Sequence, residues 1–210
     1  MKPVYLFPFF LVLIYSCASG LSEEEVLNVV LETPQDTLKY YEHFFIDHPK
    51  FQADYFQFPV GPPHADGYYN AQYFGINLHL GEDWNGNGGG NSDLGDPIFS
   101  VAHGYVYEAK DCGGGWGNVV RVIHQYKEHG KPKLVESLYA HLDSMWVEPG
   151  DSLQRGEQLG TMGNADGAYY AHLHLEMRDS MEMDLGPGYS SDTAGYIKPT
   201  AFIKAHGLNP

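Results

Sequence analysis

The stretch "YAHLHLEM", residues 170–177, sets two histidines two positions apart within an otherwise apolar and aromatic run. It reads as a strand, in which successive side chains point to opposite faces. His172, His174 and Glu176 then share one side, and Leu173, Leu175 and Met177 share the other. One face is suited to packing and the other to chemistry. Adjacent same-face positions stand roughly 6.5 Å apart, twice the rise per residue, so one imidazole can bind an ion while its neighbour transfers protons.

Further segments carry the same signature on the N-terminal side. "PIFSVAHGYVYEA", "GNVVRVIHQY" and "LVESLYAHL" are rich in Val, Tyr, Leu and Ile and are separated by turn residues, so each is a predicted strand. "QYKEHGKPKLVE" supplies a polar hairpin tip. Residues 56–210 are therefore predicted to be mainly β, an antiparallel sheet or sandwich, with no internal repeat. Ahead of them, "SEEEVLNVVLET" places Ser22 and Glu25 in capping-box spacing and Val26, Leu27, Val30 and Leu31 on one stripe. A second helical pattern, "DTLKYYEHFFIDHP", ends before Pro49. Residues 18–55 thus read as an N-terminal helical appendage, with His43 and His48 as surface or packing residues.

The first residues, "MKPVYLFPFFLVLIYSCASG", follow the order of a secretory signal: Lys2, an apolar stretch, then small residues. The apolar part is shorter than the ~20 residues that span a bilayer. The chain is expected to be exported, to the bacterial cell envelope or beyond it. "IYSC" resembles the lipobox of bacterial lipoproteins, so residues 1–17 are either a lipoprotein signal with acylation of Cys17 or an ordinary signal cleaved near a small residue. The one other cysteine is Cys112, which leaves no disulfide framework, so stability falls to a core or a bound ion. The 210 residues suit one main fold, expected to be a monomer. With 12 basic and 27 acidic residues the net charge is −15, which argues against nucleic acid as a partner.

Three segments concentrate the metal-type side chains: "HLGED" (His79 to Asp83), "LYAHL" (His141) and "AHLHL" (His172 and His174). Neutral imidazoles with one carboxylate suit Zn²⁺, and a catalytic zinc site uses three protein ligands with a position open to water. His79, Asp83 and one histidine of the HLH pair meet that requirement. Gly81, between the first two, is expected to permit a tight chain path that aims both at one ion.

In order and spacing, "HLGED", "GDPIFSVAHGYV", "GGGWGNVVRVIH", "SLYAHLDSMWVEPGDSLQRGEQLGTMGNADG" and "AHLHLEM" resemble the lysostaphin/LytM-type zinc metallopeptidases. The resemblance covers about residues 57 to 204, including "IKPTAFI", matched to a closing strand or turn. It implies a peptidoglycan endopeptidase with one Zn²⁺, held by His79, Asp83 and His174. It also implies that His141 and His172 flank the reacting centre. A same-fold envelope protein that binds peptidoglycan, or activates another hydrolase without catalysis, is the alternative; such proteins usually lack some of these residues. Two departures bear on substrate preference: the segment "WNGNGGGNSDLGD" after Asp83 is long, and "ADGYYNAQYFG" before His79 lacks an arginine often found there.

Other motifs weigh less. "DWNGN" with Gly88 imitates the start of an EF-hand loop, but Leu94 stands where a bidentate Glu is needed, so a flexible polar groove loop is the expectation. "CGGGWGN" has no following Lys-Ser or Lys-Thr and reads as a tight turn, with Cys112 unreactive. "VEPGDSLQRGEQLG" is similar to the hairpin of lipoyl carriers but lacks an acceptor lysine. His64, His103, His124, His129 and His206 have no partner spacing, and neither Glu82 nor Glu176 is a candidate general base.

Overall fold

A computed structural model describes residues 34–208. The signal, Cys17 and the helix expected over residues 22–33 lie outside the described residues. The second expected helix is present as α1 (Pro34–Asp47). Ten strands follow among the described residues: β1 (Tyr68–Gln72), β2 (Glu82–Gly86), β3 (Pro97–Phe99), β4 (Gly104–Asp111), β5 (Asn118–Glu128), β6 (Lys131–Met145), β7 (Ser152–Leu153), β8 (Gln158–Met162), β9 (Leu173–Arg178) and β10 (Tyr196–Ile197). They join in one open antiparallel sheet of order β1-β2-β9-β6-β5-β4-β7, with β10 on β9 and β8 bridging β3 to β6.

The alternation predicted for residues 172–177 organises this sheet. Leu173, Leu175 and Met177 are fully buried in the main core with Val120, Val122, Tyr139, Leu142 and Met162. The opposite face carries His174, Glu176 and Arg178, opposite Ala140, Leu138 and Glu136 of β6 in register. Residues paired across an antiparallel ladder point to the same side. Asp83 pairs with His174, so Asp83, His174 and Ala140 form one row across three strands. α1 covers part of this second face, packing Tyr41 and Phe45 against Ile123.

Two strand expectations change in detail. "PIFSVAHGYVYEA" is broken into β3 and β4, because Ser100 turns the chain: its Oγ donates to the Ala102 carbonyl (2.7 Å), a local bond that competes with a ladder. The closing "IKPTAFI" is the short β10 followed by a helix, α2 (Pro199–His206). Pro199 suits a first helical turn, and Ile203 and Phe202 pack on the main core.

Candidate metal centre

β6 contains an extra residue at the site. Asn118 pairs with Leu142 and Val120 with Tyr139, so three steps on β6 oppose two on β5. The bulge places His141 at φ 63, in the left-handed region, where a residue other than glycine is uncommon. Strict alternation would send His141 to the core side with Tyr139. The bulge re-aims it to the face of Ala140 and His174, where its ring centroid lies 5.5 Å from that of His174.

Three donor atoms converge. His79 Nε2 and His174 Nδ1 are 3.0 Å apart, His174 Nδ1 and Asp83 Oδ1 are 3.0 Å apart, and His79 Nε2 lies 3.4 Å from Asp83 Oδ1. For ligand bonds of about 2.0–2.2 Å the edge of a tetrahedral site is about 3.3–3.6 Å, so this triangle, with edges of 3.0–3.4 Å, is slightly contracted but close to the size that one small divalent ion requires. No other such group of His, Cys, Asp and Glu occurs among the described residues.

The hydrogen-bond chemistry favours a cation as well. His174 Nε2 lies 3.0 Å from Glu176 Oε1 and so presents its N–H there. A neutral His174 then turns the lone pair of Nδ1 toward the Asp83 carboxylate, and only a proton or a cation makes that contact favourable. Burial alone depresses the basicity of His174, but hydrogen bonds with Asp83 and Glu176 override it and lift its pKa to about 9. Asp83 shows the converse: burial opposes its ionisation, yet hydrogen bonds from His174 and His79 hold its carboxyl well below the ordinary range. Both shifts express an anionic pocket short of positive charge. His79 Nδ1 is buried without a hydrogen-bond partner.

Gly81 serves differently from the expectation. Its φ is not positive. His79, Gly81 and Asp83 are alternate residues entering β2, and a Cβ on Gly81 would stand 2.7 Å from His174 Cε1 and 2.7 Å from the Leu175 carbonyl oxygen. The missing side chain makes room for the His174 ring.

Glu176 and Arg178 extend the site inward. Arg178 Nε donates to Glu176 Oε2 at 2.7 Å and its Nη1 lies 3.6 Å from Glu136 Oε1. Arg121 Nε donates to Glu136 Oε1 at 2.8 Å. All four side chains are almost wholly buried. Arg121 and Arg178 also hold the carbonyls of Met183 (2.7 Å) and Leu185 (2.9 Å), fastening the segment that leads to Pro187, Gly188 and Tyr189. These three residues wall a cavity of about 430 Å³ over the donor cluster, together with Trp116, His141 and Tyr169. Sequence reasoning missed this ionic chain, although charged residues at every second position of a buried strand signal one.

His141 and His172 both line this cavity and pack edge to face, ring centroids 4.7 Å apart. His141 Nδ1 lies 3.2 Å from the Trp116 carbonyl and His172 Nδ1 lies 2.8 Å from the Tyr170 carbonyl. A carbonyl only accepts, so each Nδ1 carries the proton and each Nε2 is left as an acceptor. Burial, reinforced by His174 and His172, lowers the His141 pKa to about 3. His103, His124 and His206 stand apart from the cluster: His124 is buried between the His103 carbonyl and Ser137 Oγ. Glu82 points away from the donors, accepting from Thr200 of α2. Burial raises the Cys112 thiol pKa, consistent with an unreactive residue.

The segment after Asp83 also departs from the flexible loop expected. Residues 82–86 form β2, and Asp93, buried, accepts from the Gly86 amide at 2.7 Å. Gly95 N–H donates to the Met162 carbonyl (2.8 Å) and Met162 N–H to that of Asp96 (2.7 Å). The loop is fastened at its base.

Two imidazoles and a carboxylate gathered beside a groove form a donor set of the metallohydrolase type. The chain belongs to the family described as peptidase family M23, which matches residues 78–185. It is 34% identical over 84 residues to lipoprotein NlpD of Yersinia enterocolitica, covering 40% of this chain and 78% of that protein. Among solved structures, the SpoIIQ–SpoIIIAH pore-forming complex aligns with TM-score 0.51 and 16% identity, over 72% of this chain and 92% of that one. The catalytic domain of the antimicrobial peptidase lysostaphin from Staphylococcus simulans aligns with TM-score 0.46 and 22% identity, over 72% and 89%.

Proposed function

We propose that the chain is an exported zinc metalloendopeptidase that hydrolyses peptide bonds in peptidoglycan stem peptides or cross-bridges. His79, Asp83 and His174 hold the ion, and His141 and His172 are the catalytic residues. The observation that carries this reading is the triangle of three donor atoms with edges of 3.0–3.4 Å, with two further histidines beside it in the lining of one cavity. Membership of a peptidase family supports the reaction class, and a relative named a lipoprotein supports the envelope location and an anchor at Cys17. Loss of fatty-acid labelling in Cys17→Ser tests the anchor.

When bound, Zn²⁺ supplies Lewis acidity at the scissile carbonyl and lowers the pKa of water to about 7. The protein's own contribution is proton handling and orientation. His141, held neutral by burial, presents Nε2 as a hydrogen-bond acceptor toward the reacting centre. Having taken a proton there, it can donate to an oxyanion or to the leaving amine, and His172 Nε2 is arranged for the same exchange. Glu176 fixes the His174 tautomer by accepting from Nε2, so that Nδ1 keeps its lone pair for the ion.

The test is digestion of purified peptidoglycan with parallel zinc analysis. His174→Ala is expected to lose metal, whereas His141→Ala keeps metal and loses turnover. Equal cleavage by both variants and the unaltered protein refutes the catalytic assignment. Metal binding with no cleavage by the unaltered protein would return the non-catalytic alternative.

A further inference from the structure

His172 sits one residue before β9 begins at Leu173, beyond the regular ladder that β2 forms with that strand, whose last pair is Trp84 with Leu173. Backbone pairing at His172 is confined to an isolated bridge with Gly163. A histidine that transfers protons needs a fixed origin for its side chain, and misplacement by about 1 Å can cost on the order of a hundredfold in rate. Something other than strand pairing must hold the chain here.

Two carboxamides do so. Asn85 Nδ2 donates to the Ala171 carbonyl at 3.0 Å, and the Ala171 N–H donates to Asn91 Oδ1 at 2.8 Å. The backbone partners decide both amide orientations, since a carbonyl accepts only and an N–H donates only. Asn85 lies in β2 and Asn91 in the Gly/Asn-rich loop whose base is fastened through Asp93 and Met162. Ala171 is fully buried between them. The adjoining Tyr170 carbonyl takes the Nδ1 proton of His172, so holding residue 171 also holds the group that sets the His172 tautomer.

We propose that Asn85 and Asn91 are positioning residues that clamp the Ala171 peptide from both sides and so place His172 over the donor cluster. This is the role of the long segment after Asp83: with side chains it continues the bonding that β2 gives β9 with backbone. The kinetic part rests on the peptidase reading; the clamp itself does not.

The test exploits the opposite polarity of the two bonds. Asn91→Leu removes an acceptor and Asn85→Asp replaces a donor with a carboxylate facing a carbonyl. Each is expected to lower kcat on the order of a hundredfold, with KM little changed and zinc content equal to that of the unaltered protein. Asn91→Asp keeps the acceptor and is expected to restore the turnover lost in Asn91→Leu; Asn85→Gln keeps the donor and is the matching rescue. A direct substrate contact at either position would appear in KM instead and overturn the proposal, as would equal effects of Asp at both positions. Independently of activity, residue-resolved hydrogen exchange should show the Ala171 amide protected in the unaltered protein and in Asn91→Asp, and unprotected in Asn91→Leu. Unchanged protection in Asn91→Leu overturns the clamp even where the chain cleaves nothing.

Discussion

Gly81→Ala is the most economical way to ask whether the donor triangle is a metal site. The added methyl would lie 2.7 Å from His174 Cε1, 2.8 Å from His174 Nε2 and 2.7 Å from the Leu175 carbonyl oxygen, whereas ordinary contact begins at 3.4 Å. The carbonyl belongs to β9, between β2 and β6, and yields little. The ring must therefore shift by about 0.7 Å, several times the roughly 0.2 Å tolerance of ligand distances in a metal site. Such a shift also loosens the bond from His174 Nε2 to Glu176, and loss of an outer partner of this kind weakens metal affinity about 10–100-fold. Competition for zinc against a chromophoric chelator measures this directly, with the thermal transition of the metal-free form recorded beside it. The expected outcome is weaker zinc binding from a protein that is still folded. Zinc held as tightly as by the unaltered chain would refute the reasoning, because the ring position would then be immaterial to the ion.

Two further outcomes follow from buried groups away from the donors' own atoms. Arg178→Met leaves Glu136 and Glu176 buried without their shared cation, which is expected to cost about 3–5 kcal/mol and to lower Tm on the order of 10 °C; a Tm within a degree or two of the original would mean the chain of charges is not coupled. His124 is wholly buried and its pKa is lowered to about 4, with burial as the main cause. The folded state therefore prefers it neutral while the unfolded chain protonates it near 6.5. Its contribution, roughly 3 kcal/mol at most, is present above pH 6.5 and is lost as pH falls from there toward 4. Urea midpoints of the unaltered protein and His124→Gln between pH 7 and 4 check this, and parallel pH dependences would contradict it.

The antiparallel fold and the face shared by His172, His174 and Glu176 were legible because alternation in "AHLHLEM" has period two and the structure keeps that period through β9. The triangle could be anticipated in composition, since His79 and Asp83 flank a glycine in the way a close approach needs, but the reason for Gly81 was hidden. Its partner, the His174 ring, is more than ninety residues away along the chain. The bulge at His141 was illegible for a related reason: an extra residue is visible only against the strand it opposes, and β5 gives no local hint of it. The roles of Asn85 and Asn91 depend on bonds to Ala171 across the groove, and runs of Gly and Asn look alike whether they swing freely or are tied. α2 escaped notice because "KPTAFI" is short and its helical character comes from Pro199 at the first turn and from the apolar seat of Ile203.

The single inserted position in β6 carries a consequence for how this scaffold can change. Removing the residue after His141 would restore an unbroken ladder with β5, relax a costly backbone angle and turn the imidazole to the side of Tyr139, while the pairing of Ala140 with His174 stays in place. On the peptidase reading, a sequence could in this way retain its grip on an ion yet forfeit turnover. In such proteins a count of residues between the two histidine segments would say more about chemistry than a roster of ligands.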